Sequence, residues 1–526
     1  MGQHVEASSV PGPGPGAAPT VKIDGDKPGE KGLKTGALGF ASSVVIGVAS
    51  TAPGYSLASV LGVVVAVAGI GVYAPAVLIV AFLPMLFIAA SYYYMNRADP
   101  DCGTTFSWVT RGMGPWWGWI GGWAIIVADI IVMANLAQVA GLYSFLLFGV
   151  EDPSTGLVTL IGVIWIAIMT VICVIGIELS ARTQIGLLGA EILTLALFAV
   201  VALVKVYSGD ALEGALHVDI SWFNPFEISS LKALVAGLLL AVFIYWGWDS
   251  TVAVNEETED SSTTPGRAAL ASTVILVLIY VLVAVAAIAY AGPELLGDPE
   301  NADDVLGVLA GSVFGSETLG KIVIIAVLTS AAASTQTTIL PTSRTALSMA
   351  RAKAIPEKFG QVSPRYLTPD VATWWMGGLS IFWYVGLTLV SENILYDSIA
   401  ALGLMIAFYY GITGVACVIY YRRELLKSVK SFLFIGVAPA IGSITLFYLL
   451  GKSIADLTDP ANGESGDAWI GVAPPLVIGV GFMIFGGFLM VFWYLAGHRE
   501  FFQRKAEVVD PRVLLDAGAT PPVEHV

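Results

Sequence analysis

Apolar stretches long enough to cross a bilayer follow one another along this chain, near residues 38–66, 72–95, 116–148, 157–178, 184–206 and 231–255. Six more lie near 268–291, 318–349, 372–390, 395–421, 431–452 and 470–496. A helix of roughly 20 apolar residues spans the hydrocarbon core of a membrane. Only 12% of the residues are charged and the mean hydropathy is +0.80, whereas soluble domains run near 25% charged. No alternating pattern supports a β-barrel. The chain therefore reads as an all-α polytopic membrane protein of 12 transmembrane helices, solvated by the lipid bilayer. We number these spans 1 to 12; spans 1 and 8 are too long for one straight crossing, which predicts bends or breaks.

Basic residues set the orientation. With both termini cytoplasmic, Lys205, Lys232, Lys321 and Lys452 alone of the 25 Lys and Arg fall near the outer side. The acidic surplus, net −15, lies largely in outer loops and in residues 256–260, which disfavours nucleic acid as a partner. Cys102, Cys173 and Cys417 are too scattered for a disulfide framework or a CxxC metal site. His4, His217, His498 and His525 lie in tails or loops, so no haem or zinc site is expected, nor any other metal or cofactor. Residues 1–35, rich in Pro and Gly, read as a disordered tail without signal-peptide features. Residues 501–526 read as a second tail with a short helix near the membrane.

Two spans are interrupted in their middles. Span 1 contains "IGVASTAPG", where Gly47, Pro53 and Gly54 weaken a helix; span 6 contains "YWGWDS", weakened at Gly247. Glycine is common in membrane helices, where it lets neighbours approach, so either interruption alone reads as packing. Each, however, opens a set of five spans. Paired breaks at corresponding positions point to a 5+5 inverted repeat with discontinuous helices 1 and 6 that hold a small-molecule substrate. The halves would be residues 36–230 and 231–425, with two extra helices in 426–500.

Four motifs then appear in order. "DPDCGTTFSWVTRGMGPWWGWIGGW" (Asp99 to Trp123) precedes and opens span 3, "ELSART" (Glu178 to Thr183) opens span 5, and "FIYWGWDSTVAVNEETEDSSTTPGRA" carries span 6 into span 7. "SRTALSMARAKAIPEKFGQVSPRYLTPDVAT" (Ser343 to Thr373) follows span 8. Together they resemble the amino acid–polyamine–organocation (APC) superfamily of secondary transporters over nearly all of residues 36–500. That resemblance implies a leucine-transporter-like fold and an amino acid permease. Many members read Gly-x-Gly-Ile-Phe in helix 1; here Gly47 to Thr51 stand there, followed by Pro53.

The candidate site follows from the breaks. Amides of Gly47, Ser50, Thr51 and Ala52 would lie at a half-helix N-terminus, whose partial positive charge favours a substrate carboxylate. The Ser50 and Thr51 hydroxyls would add donors. Tyr245, Trp246 and Trp248, around Gly247, would stack on an amine or alternatively face lipid. A charged acid at mid-bilayer costs about 3 kcal/mol, so the intramembrane acids are functional candidates. Asp249 is expected to cap the second half of span 6. Asp129, on the helix that lines the site in this fold, either recognises a substrate cation or makes a polar interhelical contact. Glu191 falls where proton-coupled members of the superfamily carry a helix 5 lysine. It is either the proton-coupling group or a structural partner of a span 8 hydroxyl such as Ser334 or Thr335. Those hydroxyls, with Ser330 and Thr338, are a candidate ion site by resemblance to sodium-coupled relatives, sodium being the weaker alternative to the proton.

The expected function is a plasma (inner) membrane transporter moving amino acids or related amines by alternating access, coupled to protons. The alternatives are an amino acid/polyamine exchanger, a channel, or a sensor that kept the fold without transport. A membrane-embedded enzyme is disfavoured, because there is no HExxH motif and no histidine within a span.

Overall fold

The computed structural model describes residues 31–506 apart from Glu151, Ser391 and Glu464. Residues 1–30 and 507–526 of the two expected tails, with His4 and His525, lie outside the described residues. Twelve helical segments are long and apolar enough to cross a bilayer. Spans 1 to 6 are Phe40–Ala66, Gly71–Ala98, Pro115–Leu147, Thr155–Ile175, Ile177–Ser208 and Leu231–Ala253. Spans 7 to 12 are Thr264–Leu296, Glu317–Arg351, Asp370–Val390, Asp397–Tyr420, Val429–Asp456 and Pro474–Leu495. Among the described residues the only β-structure is two isolated bridges, Leu38 with Thr258 and Trp469 with Val472.

Spans 1 and 8 form the centre of the bundle, with 78% of their apolar windows buried, against 17% for span 12. Span 12 thus presents most of its surface to lipid. Span 1 is two helices, Phe40–Ser50 and Pro53–Ala66, joined through Ala52 in a left-handed conformation (φ 46°, ψ 63°). Pro53 explains the break: it has no N–H to donate to Ala49, and its ring disfavours a right-handed helical conformation at the preceding residue. Span 6 runs as a helix over Leu231–Ala241 and as a 3₁₀ turn over Phe243–Tyr245. Trp246 is extended, Gly247 has φ +116°, and a short helix resumes at Ser250–Ala253.

Span 8 does not break. It is one continuous helix of 35 residues with Pro341 inside it. At 1.5 Å per residue it is about 52 Å long, well over the roughly 30 Å of a hydrocarbon core.

The inner limit of the first expected tail needs correction. Lys31 and Leu33, assigned from composition to a disordered segment, are only 2% and 4% exposed. Residues 31–38 form a strap beneath the bundle. Within it the amides of Ala37 and Leu38 donate to the Glu257 carbonyl (2.8 and 3.0 Å), and the Glu259 amide donates to Leu38 (2.8 Å). At the other terminus a 3₁₀ turn over Phe501–Gln503 buries Phe501 and Phe502 beside Phe106 and Trp116. Composition marked residues 1–35 as unable to build a core of their own; it does not show that the core of the bundle accepts a few of their side chains, and at the other tail the short helix expected near the membrane is the turn at Phe501–Gln503.

Candidate functional site

The two interruptions touch. A Cβ on Gly247 would stand 2.7 Å from the Ser50 carbonyl oxygen, so only glycine permits this approach. The Ser50 and Ser250 hydroxyls share a 2.8 Å hydrogen bond, and Ser334 of span 8 donates to the Ser50 carbonyl at 2.9 Å. Carbonyl and hydroxyl of one residue thereby join spans 1, 6 and 8.

The donors at the first break lie further along than expected. The Thr51 and Ala52 amides reach back to the Val48 and Ala49 carbonyls (3.2 Å each), and the Thr51 hydroxyl donates to Val48. Gly47 is inside the first half-helix, where a Cβ would meet Thr251 and Ser272 at 2.5 and 2.6 Å. It is a packing glycine and not part of the break. The amides that Pro53 releases from the helical ladder belong to Gly54 and Tyr55, and both have partners. Gly54 donates to Glu191 Oε1 at 2.7 Å and Tyr55 donates to the Ser330 hydroxyl at 3.2 Å. Glu191 is fully buried, and its Oε2 has no hydrogen-bond partner. A carboxylate at the N-terminus of a half-helix is favourably placed, but here it is the protein's own. Of the span 8 hydroxyls, Ser334 serves Ser50 and Thr335 donates to Ala331 in its own helix, whereas Ser330 faces the Glu191 carboxyl, so a span 8 hydroxyl does partner Glu191, one turn before the two named. Those two hydroxyls do not converge on a common point.

Around the second break the aromatics are buried inside the protein, which excludes the lipid-facing reading. The Tyr245 hydroxyl donates to the Leu78 carbonyl of span 2 at 3.0 Å, with its ring edge-on to Tyr280. Tyr280 in turn donates to the Ile244 carbonyl at 2.5 Å, occupying one of the acceptors that unwinding exposes. The Trp246 indole donates to the Tyr409 hydroxyl. The Trp248 ring packs against Tyr92 and Tyr410, with centroids 5.1 and 5.2 Å away.

Asp249 does not cap the following helix through its side chain. Its two oxygens instead accept hydrogen bonds from Tyr410 (2.8 Å) and Tyr409 (3.2 Å), and Tyr410 also lies 3.4 Å from the Gly247 amide. The broken backbone of span 6 is thus anchored to span 10 through one carboxylate. Asp129 is buried and accepts a hydrogen bond from Thr342 of span 8. Thr342 stands eight residues beyond Ser334, about 12 Å along the helix. The hydrogen bond of Asp129 is thus to span 8 two turns from the Ser334–Ser50 contact.

Sequence reasoning missed Ser250, Tyr280, Thr342, Tyr409 and Tyr410. The adjacent tyrosines in "IAFYYGITG" of span 10 were the available signal, since two phenols inside one apolar run need buried acceptors.

Among the described residues one cluster has metal-ligand chemistry: atoms of Asp101, Cys102 and Glu256 lie within 4.8 Å of one another. The Lys31 ammonium stands among them, 2.6 Å from Asp101 and 2.7 Å from Glu256. It already supplies the positive charge a metal would bring.

Residues 36–482 match a family described as amino acid permease. An uncharacterized transporter of Mycobacterium tuberculosis is 29% identical over 54% of this chain and 61% of its own length. The aligned part of the chain thus spans about three-fifths of that relative. A branched-chain amino acid permease of Lactococcus lactis is 24% identical, over 70% of this chain and 79% of its own length. A serine/threonine exchanger of Bacillus subtilis is 23% identical, over 68% and 77% respectively.

Proposed function

The chain belongs to the amino acid permease family of the APC superfamily, and on that premise we propose that it moves amino acids or related amines across the plasma membrane by alternating access, with Glu191 carrying a coupled proton. The names of the Lactococcus and Bacillus relatives support the substrate class. The distribution of Lys and Arg supports cytoplasmic termini.

The observation that carries the reading is the bond between Glu191 and Gly54. One carboxylate oxygen holds the first free amide of the second half-helix, and the other is buried without a partner. Taking up a proton would cancel the charge that the half-helix terminus attracts and loosen the hold on Gly54. That amide would then be open to the carboxylate of an incoming amino acid. Protonation and substrate binding would share one donor, and each would change the other's affinity by the same factor. Binding drives the cycle only where it favours one conformation over the other.

The test is uptake of a panel of amino acids and polyamines into proteoliposomes, with and without an inside-alkaline pH gradient. Accumulation above equilibrium is expected with the gradient. Glu191→Gln should retain substrate exchange and lose the accumulation; full accumulation by the variant would overturn the role of Glu191. The exchanger reading draws on the Bacillus relative's name, and it requires counterflow that is indifferent to pH. Tight binding without flux would support a sensor.

A further inference from the structure

A pocket beside the inner ends of spans 3 and 8 plays no part in the two helix breaks. Four segments bring a cation to it: the strap with Lys31, the helix Thr105–Met113 with Arg111, the end of span 8 with Arg351, and the segment after span 12 with Arg504. Among the described residues Asp101 is the one acid in its lining. A chain of net charge −15 thus gathers four cations around one small space.

Asp101 does not offset them all. Its Oδ2 accepts Lys31 at 2.6 Å, and its Oδ1 accepts the Gly103 amide and the Ser107 and Ser348 hydroxyls at 2.7, 2.6 and 2.7 Å. Both oxygens are occupied, and the charge is spent on Lys31, which also donates to Glu256 at 2.7 Å. Arg111 is paired outside the lining, with Asp99 at 2.5 Å. The other two cations are held by carbonyls. Arg351 donates to Lys31 at 3.2 Å and has no ion-pair partner among the described residues. Arg504 donates to Ala352 at 3.1 Å, with its guanidinium over the Phe501 ring, 5.4 Å from the centroid. A carbonyl bond fixes a guanidinium without cancelling its charge. Like charges fixed side by side repel, so the lining favours an anion.

The donors suit a phosphate group. A guanidinium presents five N–H donors in a planar fork that matches two phosphate oxygens, and Arg351 uses one of them on Lys31. The enclosed space is about 20 Å³, roughly one water. It therefore admits an oxygen of the anion, and the remainder stays at the mouth, where Arg351 is exposed and Arg504 partly so. The surroundings favour a lipid as the source. Trp116 and Trp117, at the start of span 3, are 40% and 51% exposed, as aromatic residues at headgroup level are. Trp116 packs on Phe502 with ring centroids 4.5 Å apart, and Arg504 follows Phe502 by two residues. Basic side chains at that depth attract anionic headgroups.

We infer that this pocket binds a phosphate group, carried by a phosphomonoester lipid of the facing leaflet or free in solution, with Arg351 and Arg504 gripping its oxygens and Lys31 and Arg111 adding their charge. The site is separate from the helix breaks, so its test needs no transport.

The experiment equilibrates the purified full chain in detergent with equal amounts of phosphatidic acid and phosphatidylcholine and reads the retained lipid by native mass spectrometry. Inorganic phosphate is then titrated in at constant ionic strength. The parent should prefer phosphatidic acid about tenfold, the worth of one charge-assisted hydrogen bond, and phosphate should displace it. Arg351→Gln and Arg504→Gln together should abolish the preference, and Arg351→Lys, which keeps the charge without the fork, should weaken it. Lys430→Gln, which removes an exposed cation at the start of span 11 outside the lining, should leave it unchanged. Binding of radiolabelled inorganic phosphate by the parent but not by the double variant, without a lipid preference, would support the site and make the free anion its ligand. Binding of neither probe overturns the inference. So does a preference that the double variant and Lys430→Gln reduce alike, which would be general surface charge. Arg351 and Arg504 are not buried, and unfolding midpoints of the variants measured without phosphate should match the parent closely enough to exclude misfolding as the cause of lost binding.

Discussion

Replacing Gly247 by alanine should separate the two breaks, and the structure sets the size of the effect. The new methyl would lie 2.7 and 2.9 Å from the Ser50 carbonyl oxygen and carbon and 3.0 Å from its hydroxyl. Two of these three atoms belong to the backbone and cannot rotate aside. Overpacking of this kind costs about 1–3 kcal/mol. The positive φ of +116° adds about 1–2 kcal/mol for any residue with a Cβ. The sum is roughly 2–5 kcal/mol. Gly315→Ala isolates the second contribution, because Gly315 has φ +77° and nothing within 4 Å. Gly378→Ala, within the span 9 helix and likewise without a neighbour within 4 Å, should be neutral or stabilising by about 0.5–1 kcal/mol. Unfolding midpoints of the purified variants should therefore fall in the order Gly378→Ala, Gly315→Ala, Gly247→Ala. Uptake by Gly247→Ala should drop below one-tenth of the parent. A Gly247→Ala protein as stable as Gly315→Ala would refute the reasoning, since the clash would then be absent and the breaks not in contact.

The buried polar contacts give three more expectations. Asp129→Asn keeps an acceptor for Thr342 but removes the charge, so uptake of amines should fall at least tenfold and that of neutral amino acids less than twofold; equal losses would assign Asp129 to packing. Tyr410→Phe removes the 2.8 Å bond to Asp249 and should cost about 1.5–3 kcal/mol, the usual worth of a hydrogen bond to a charged group. An unchanged unfolding midpoint would mean that Asp249 does not depend on that phenol. Arg344→Lys retains the charge yet loses the two-pronged contact with Glu257. It should lower stability by about 1.5–3 kcal/mol, the worth of the charge-assisted bond that a single ammonium cannot replace, read by size-exclusion chromatography after heating. Survival equal to the parent would show that a point charge suffices.

What could be read from the sequence was what each segment states by itself. A run of apolar residues carries its own length, and Pro53 and Gly247 carry their backbone constraints wherever the chain places them. Even so, the first break displaced the free amides two to three residues beyond the expected cradle, because Thr51 and Ala52 can still bond back to the turn before Pro53. The partners were hidden for a different reason. Lys31 is 225 residues from Glu256, and Glu191 is 137 residues from Gly54; no local pattern records which helices will be neighbours or in what register. Asp249 shows the same limit at closer range. Its position just before a short helix suggested a cap, a choice that depends only on adjacent residues, whereas two phenols from span 10 offered its carboxylate donors in a buried site. In lipid the bundle has no solvent to satisfy a stray polar atom, so each intramembrane acid must find its donors on another helix. This is why the acids themselves were conspicuous in the sequence while their roles depended on distant hydroxyls and amides. The same reasoning draws attention to two acids within spans that keep a buried oxygen without a hydrogen-bond partner, Glu191 at Oε2 and Asp397 at Oδ2. We propose the first of these as the carrier of the coupled proton, because Glu191 alone of the two also holds an amide of the broken span 1.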